Sequence, residues 1–174
     1  MSAIKTIKDV MVDVFDFPHL PYWFTLRQAM GIVQKSLLAG ERCLYPLAIL
    51  VFDEKYNLLG TLGLRDIMKG LEPAFLKSTT SAQVPDDESG EELALIWEAV
   101  FSGGSNDKAD TQVGEAMVPA RYFAQTDDPI TKAAHLLTRH NLILLPVLDS
   151  NKKLVGVVRE IEIFNELANS VLQA

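Results

Sequence analysis

Cysteine is nearly missing from this chain of 174 residues. Cys43 stands alone, which excludes an internal disulfide and a thiolate metal cluster. Near an apolar run it reads as a buried, reduced thiol. Histidine is scarce too, and His19, His135 and His140 show no metal spacing with one another or with Cys43. The step of five from His135 to His140 takes that pair off a common helix face, so no metal site is expected. Positive charge is in deficit: 16 Lys and Arg against 23 Asp and Glu give a net charge of −7. A binder of nucleic acid polymers needs a basic surface, which removes that class but leaves room for a nucleotide in a local pocket. No apolar run approaches the roughly 20 residues that span a bilayer. The opening Met1-Ser2-Ala3-Ile4-Lys5 lacks the apolar region of a signal peptide. The expectation is a soluble, cytoplasmic protein without a membrane partner. Glycine-rich phosphate loops, nucleophile elbows and acid pairs at defined spacing are missing as well. No catalytic residues and no required cofactor are therefore expected.

What the chain does have, it has twice. Residues 57–68 read as the edge of a turn, a short strand and the start of a helix, and residues 153–164 repeat that order. Gly60 and Gly156 lie 156 − 60 = 96 positions apart. At the same offset Asp53 falls on Asp149, Leu59 on Val155, Asp66 on Glu162 and Ile67 on Ile163. Each copy follows a near-continuous apolar run that ends in an acid, residues 47–53 and 142–149. These coincidences mark an internal duplication.

In the first copy, Thr6 is placed to cap a helical turn with help from Asp9. Pro18 and Pro21 then enforce a loop. A helix starts near Thr25, carries Leu26, Ala29, Met30, Val33 and Leu37 on one face, and stops at Gly40. Strands over 47–52 and 58–62 flank a turn at 53–57, and a helix over 64–71 ends at Pro73. The second copy opens at Val113. Asp128 is expected to cap a helix whose first residue is Pro129 and which buries Ile130, Ala133, Ala134 and Leu137. Strands over 143–148 and 154–158 follow. A last helix over 160–172 is expected to bury Ile161, Phe164, Leu167, Ala168 and Val171. Residues 73–112 interrupt the pattern. Residues 78–88 are polar and acidic, a solvated linker. Ser89 and Glu92 open an amphipathic helix over 89–102 with Leu93, Ile96, Trp97, Val100 and Phe101 as its stripe, closed by Gly103-Gly104. That stripe either packs on the core or lets Trp97 and Phe101 cover a partner subunit.

The repeated unit resembles the CBS domain, named after cystathionine beta-synthase. The resemblance rests on Asp9-Val10-Met11 and Glu115-Ala116-Met117 at the openings and on Leu145-Pro146-Val147-Leu148-Asp149. It rests also on Gly60-Thr61-Leu62 through Asp66-Ile67-Met68 and on Gly156-Val157-Val158 through Glu162-Ile163-Phe164. It implies an α/β fold of two tandem β-α-β-β-α repeats packed as a pseudo-symmetric pair, a Bateman-type module. The repeats would be residues 1–72 and 113–174, with residues 73–112 as insertion. It further implies clefts for AMP, ADP, ATP or S-adenosylmethionine, a homodimer, and a sensor that passes occupancy to an effector protein. The family pattern places a Ser or Thr three residues before an Asp at the strand-to-helix junction. Here those positions are Gly63 and Asp66, then Arg159 and Glu162. Asp66 and Glu162 are the candidate ribose ligands, or only first-turn acids on helix dipoles. The Gly63 N–H and the Arg159 guanidinium are the candidate phosphate contacts, unless Arg159 simply fills the cleft. Leu145 and Pro146 lie on the pocket strand, Pro146 reading as structural. The aromatic loop over 17–24 either stacks on an adenine or plugs its site. The alternative to a sensor is a degenerate pair that binds no nucleotide and serves as a dimerisation or docking scaffold.

Overall fold

The computed structural model describes residues 5–38, 48–72, 90–104 and 106–172, side chains being undefined at 36–38, 90–93, 96 and 104. The expectations for Cys43, the Gly40 stop, Pro73, the linker 78–88 and the Ser89–Glu92 capping box lie outside these. The strands are β1 (Val12–Asp13), β2 (His19–Pro21), β3 (Ala48–Phe52), β4 (Leu58–Gly63), β5 (Val118–Pro119), β6 (Ala124–Gln125), β7 (Leu144–Leu148) and β8 (Leu154–Arg159). The helices are α1 (Leu26–Leu38), α2 (Leu64–Leu71), α3 (Gly90–Ala99), α4 (Asn106–Ala109), α5 (Val113–Ala116), α6 (Ile130–His140) and α7 (Glu160–Leu172).

Two four-stranded sheets form, ordered β2-β3-β4-β5 and β6-β7-β8-β1. Both run parallel, antiparallel, antiparallel across their ladders, so the chain is an α/β pair with internal pseudo-symmetry. Each half lends the other its short opening strand: Val12 and Asp13 face Val157 and Gly156, while Val118 and Pro119 face Thr61 and Gly60. The repeated glycines permit this approach. A Cβ at Gly60 would lie 2.3 Å from the Val118 carbonyl oxygen, and one at Gly156 would lie 2.4 Å from that of Val12. The repeated methionines close the same contacts, with the Met117 and Met11 sulfurs 3.1 and 3.2 Å from those hypothetical carbons.

The apolar runs are continuous because both faces of β3 and β7 are buried. Ile49, Val51 and Leu62 pack on α1 and α2 through Leu26, Ala29, Val33 and Ile67. Leu145, Val147 and Val158 pack on Ala133 and Leu137 of α6. Between the sheets lie Ala48, Leu50, Phe52, Leu144 and Val157, joined by Val14 and Phe17.

Local signals account for most boundaries. Thr25 and Gln28 form a reciprocal box at the start of α1, with the Thr25 N–H donating to Gln28 Oε1 at 2.9 Å. Asp9 accepts from the Thr6 N–H at 2.8 Å. Asn141 ends α6 in the left-handed region at φ 52°. Three expectations fail. The stretch from Pro18 to Pro21, expected as a loop, contributes the edge strand β2 over His19–Pro21, paired in parallel with β3. Asp128 does not cap α6, because its carboxylate accepts from the Gln125 N–H and the Lys132 ammonium at 2.8 and 2.7 Å, and Pro129 becomes the cap residue. And α7 does not bury its stripe: Phe164, Leu167 and Val171 are 62%, 61% and 65% exposed. Only one side of this helix meets α6 and β8. No helix among the described residues is long and apolar enough to cross a membrane.

Candidate functional site

Strand alternation decides which residues can face a ligand between the sheets. On β7, Leu145 points to the helices and is fully buried. Leu144 and Pro146, on the other face, border a cavity of about 350 Å³ between the sheets. Its remaining walls are Thr61 of β4, Leu142, and the run Val118-Pro119-Ala120-Arg121-Tyr122 that begins with β5. The Tyr122 ring stacks on His140, with centroids 3.8 Å apart. Arg121 is exposed at the rim. The size suits a small ligand, and the described walls offer apolar surface, the hydroxyls of Thr61 and Tyr122, one aromatic platform and one guanidinium.

The duplication predicts a matching cleft, and that one is filled. At the offset of 96, Leu144, Pro146 and Thr61 correspond to Ala48 (144 − 96), Leu50 (146 − 96) and Val157 (61 + 96). Those three residues are packed against Val14 and Phe17, which are 5% and 2% exposed. The plug is built by the 3-10 turn Val14–Asp16, held by Asp13 accepting from the Phe15 N–H at 2.8 Å. In the rest of the opening loop, Tyr22 and Phe24 pack on the first core cluster.

The junction residues are close to the clefts in sequence but occupied with each other. Asp66 accepts from the Gly63 N–H at 2.8 Å, closing the first turn of α2. Its carboxylate borders a separate polar groove with Lys69, Glu72, Lys108 and Glu115. Glu162 accepts from the Arg159 N–H at 2.9 Å and from its Nε at 3.1 and 3.0 Å, with Nη2 also bonded. Arg159 is 5% exposed and pairs in register with Leu144, so this ion pair lies at the end of the inter-sheet layer. The structure thus brings Pro146 to the open cleft, turns Leu145 away from it, and ties Gly63 to Asp66 and Arg159 to Glu162. Sequence reasoning missed Thr61, Arg121 and Tyr122. The signal available was an Arg-aromatic pair directly after the second Met-containing turn.

Of the predicted stripe over 89–102, the described side chains are those of Trp97, Val100 and Phe101. Helix α3 runs into a wider turn, Val100–Gly104, which bends at Gly103 with φ 96°. Trp97 is half-buried while Phe101 is 88% exposed. Together with Met30, Leu64 and Met68 they border a further cavity of about 670 Å³ over α1 and α2. Arg27 anchors the far side by donating to Asp110 and to the Asn106 carbonyl, both at 3.0 Å. Among the described residues no group of three or more His, Cys, Asp or Glu could hold a metal ion.

Comparison with known proteins supplies family context. Residues 113–169 match the model of the CBS domain. A search of curated protein sequences returns no match. Among solved structures, the CBS-pair protein CBSX2 from Arabidopsis thaliana is 17% identical, with 99% of this chain and 100% of that chain covered and a TM-score of 0.63. CBSX2 in complex with AMP gives 18% identity, 97% and 96% coverage and a TM-score of 0.59. The CBS domain pair of protein MJ0100, in complex with 5′-methylthioadenosine and S-adenosyl-L-methionine, is 16% identical, with 97% and 99% covered and a TM-score of 0.62.

Proposed function

We propose that this chain, a CBS-domain protein with the fold of a tandem CBS pair, is a regulatory rather than catalytic module that binds one adenosyl ligand per chain between its sheets. The observation that carries this reading is the asymmetry of the two clefts: one is plugged by Val14 and Phe17, the other is open and bordered by Thr61, Arg121, Tyr122, Leu144 and Pro146. Solved CBS pairs of the same fold hold AMP in one case and 5′-methylthioadenosine with S-adenosyl-L-methionine in another, which makes AMP, ADP, ATP and S-adenosylmethionine the compounds to try. In this reading the base lies on Pro146 and Leu144 against Tyr122. Asp66 and Glu162 keep their proposed roles toward ribose hydroxyls, and Gly63 and Arg159 toward phosphate, but each must first loosen the contact it makes with its own partner.

The ligand would bridge β4 of one sheet and β7 of the other. It moves the chain between two packings only by differential affinity for them, and an effector protein would read the change. The repeats at 1–72 and 113–174 with an insertion at 73–112, the homodimer, and a cytoplasmic setting belong to the same proposal. Titration calorimetry with the four compounds tests it. One saturable site per chain is expected, abolished by Ala120→Trp, which fills the cleft from its wall. Two sites per chain would show that the plug does not hold. Binding that survives Ala120→Trp would move the site elsewhere. The scaffold reading has its own support in the exposed stripe of α7, and silence from all four compounds would favour it.

A further inference from the structure

A helix N-terminus at a strand-to-helix junction attracts anions through its free N–H groups. In this chain both junctions are already served by internal carboxylates. The Gly63 N–H at the start of α2 donates to Asp66 at 2.8 Å, and the Arg159 N–H at the start of α7 donates to Glu162 at 2.9 Å. The Arg159 guanidinium, whose side chain is 7% exposed, is forked onto the same Glu162 carboxylate, itself 16% exposed. A phosphate arriving there would have to displace a carboxylate from a buried cation, leaving that carboxylate unpaired beside the new anion. With Arg159 held by Glu162, the described walls of the open cleft offer no second cation. Arg121 is the one charged side chain among its described walls, the others being Thr61, Val118, Pro119, Ala120, Tyr122, Leu142, Leu144 and Pro146. The chain as a whole carries −7, which adds to the repulsion of a polyanion.

We infer that Arg121 sets the ligand class of this cleft: an adenine nucleoside or nucleoside monophosphate, one anionic group at most, in preference to nucleoside di- and triphosphates. The inference rests on the adenosyl-ligand reading above. A single guanidinium satisfies one phosphate by charge-assisted hydrogen bonds. Each further phosphate adds negative charge with no added cation among the described walls. Arg121 thus separates charged from uncharged ligands, while Tyr122, Leu144 and Pro146 hold the base of both.

The test is calorimetry on the full chain and on Arg121→Ala, in magnesium-free buffer, with 5′-methylthioadenosine, AMP, ADP and ATP. Affinity is expected to fall from AMP to ATP by roughly tenfold or more, the scale of one unmatched charged contact. Arg121→Ala is expected to weaken AMP by a similar factor and to leave 5′-methylthioadenosine within about twofold. ATP binding more tightly than AMP would overturn the inference and leave the cleft standing. An equal loss for AMP and 5′-methylthioadenosine in Arg121→Ala would also overturn it, making Arg121 a wall residue without selectivity. No binding by any of the four would overturn the adenosyl reading itself.

Discussion

Two hydrogen atoms at the Cα of Gly60 and of Gly156 leave the space through which each half receives the other's strand. Adding a methyl group at residue 156 would bring it to 2.4 Å from a main-chain oxygen of Val12, and main chain held in a ladder cannot swing aside as a side-chain tip can. Gly156→Ala and Gly60→Ala are each expected to lower stability by about 1–3 kcal/mol, the range for overfilling a packed site. Gly31, inside α1, has no atom of the described residues within 4 Å of a Cβ, so Gly31→Ala is expected to raise stability by up to about 1 kcal/mol through helix propensity. Urea unfolding of the three variants checks both signs. Parent-like stability in Gly156→Ala would mean that β1 does not sit on β8. Arg159 sets a second residue-scale expectation. Removing one of its partners in Glu162→Ala takes the forked carboxylate from a guanidinium buried at 5% exposure, a loss of up to about 3 kcal/mol. Glu162→Gln keeps an acceptor and should lose less. Equal unfolding midpoints for Glu162→Ala and the parent would show that the pair contributes nothing to stability.

At the scale of elements, the turns carry the pH dependence. Hydrogen bonds from the Asn57 side chain and N–H hold the Asp53 carboxyl below its ordinary value of 3.8. The Thr6 N–H and hydroxyl do the same to Asp9. At Asp128 desolvation pushes upward, but the Lys132 ammonium and the Gln125 N–H outweigh it and the net shift is again downward. A carboxyl held below its unfolded value contributes stability that is complete above 3.8 and is lost as pH falls through the lowered value. Melting temperatures should therefore hold down to about pH 5 and fall below about pH 4. Asp53→Asn should flatten that fall, and an unchanged acid slope would remove the 53–57 turn from its cause. The 53–57 turn was legible beforehand because its chemistry is local: Asp53 lies two and four residues before the N–H groups it accepts from. The apolar runs announced β3 and β7 for the same reason. The two-residue strands β1, β5 and β6 were not legible, since period-two alternation needs more residues than they have, and the partners of β1 and β5 lie in the opposite half of the chain.

The whole molecule shows what periodicity leaves open. An amphipathic stripe states that a helix has an apolar face, not what covers it. In α6 the stripe at Ala133 and Leu137 lies under the sheet, whereas in α7 the stripe at Phe164, Leu167 and Val171 faces outward. The site was half-legible on the same grounds. Pro146 could be placed because it lies on a strand whose alternation is readable, while Thr61 and Arg121 reach the cleft only through the pairing of two sheets and the exchange of β5. An exposed stripe spaced three and four residues apart on one helix suits an isologous contact, in which the same face meets itself across a two-fold axis. The parent chain is expected to sediment as a dimer. Phe164→Asp with Leu167→Asp should shift it to a monomer without lowering the melting temperature measured under dissociating dilution, because neither side chain supports its own core. A parent that remains monomeric at all concentrations would rule out the α7 face as a self-contact. A charged double variant that stays dimeric would move the self-contact to α1, α2 and the Trp97–Phe101 turn, where Met30, Leu64 and Met68 are exposed at 42%, 44% and 53%.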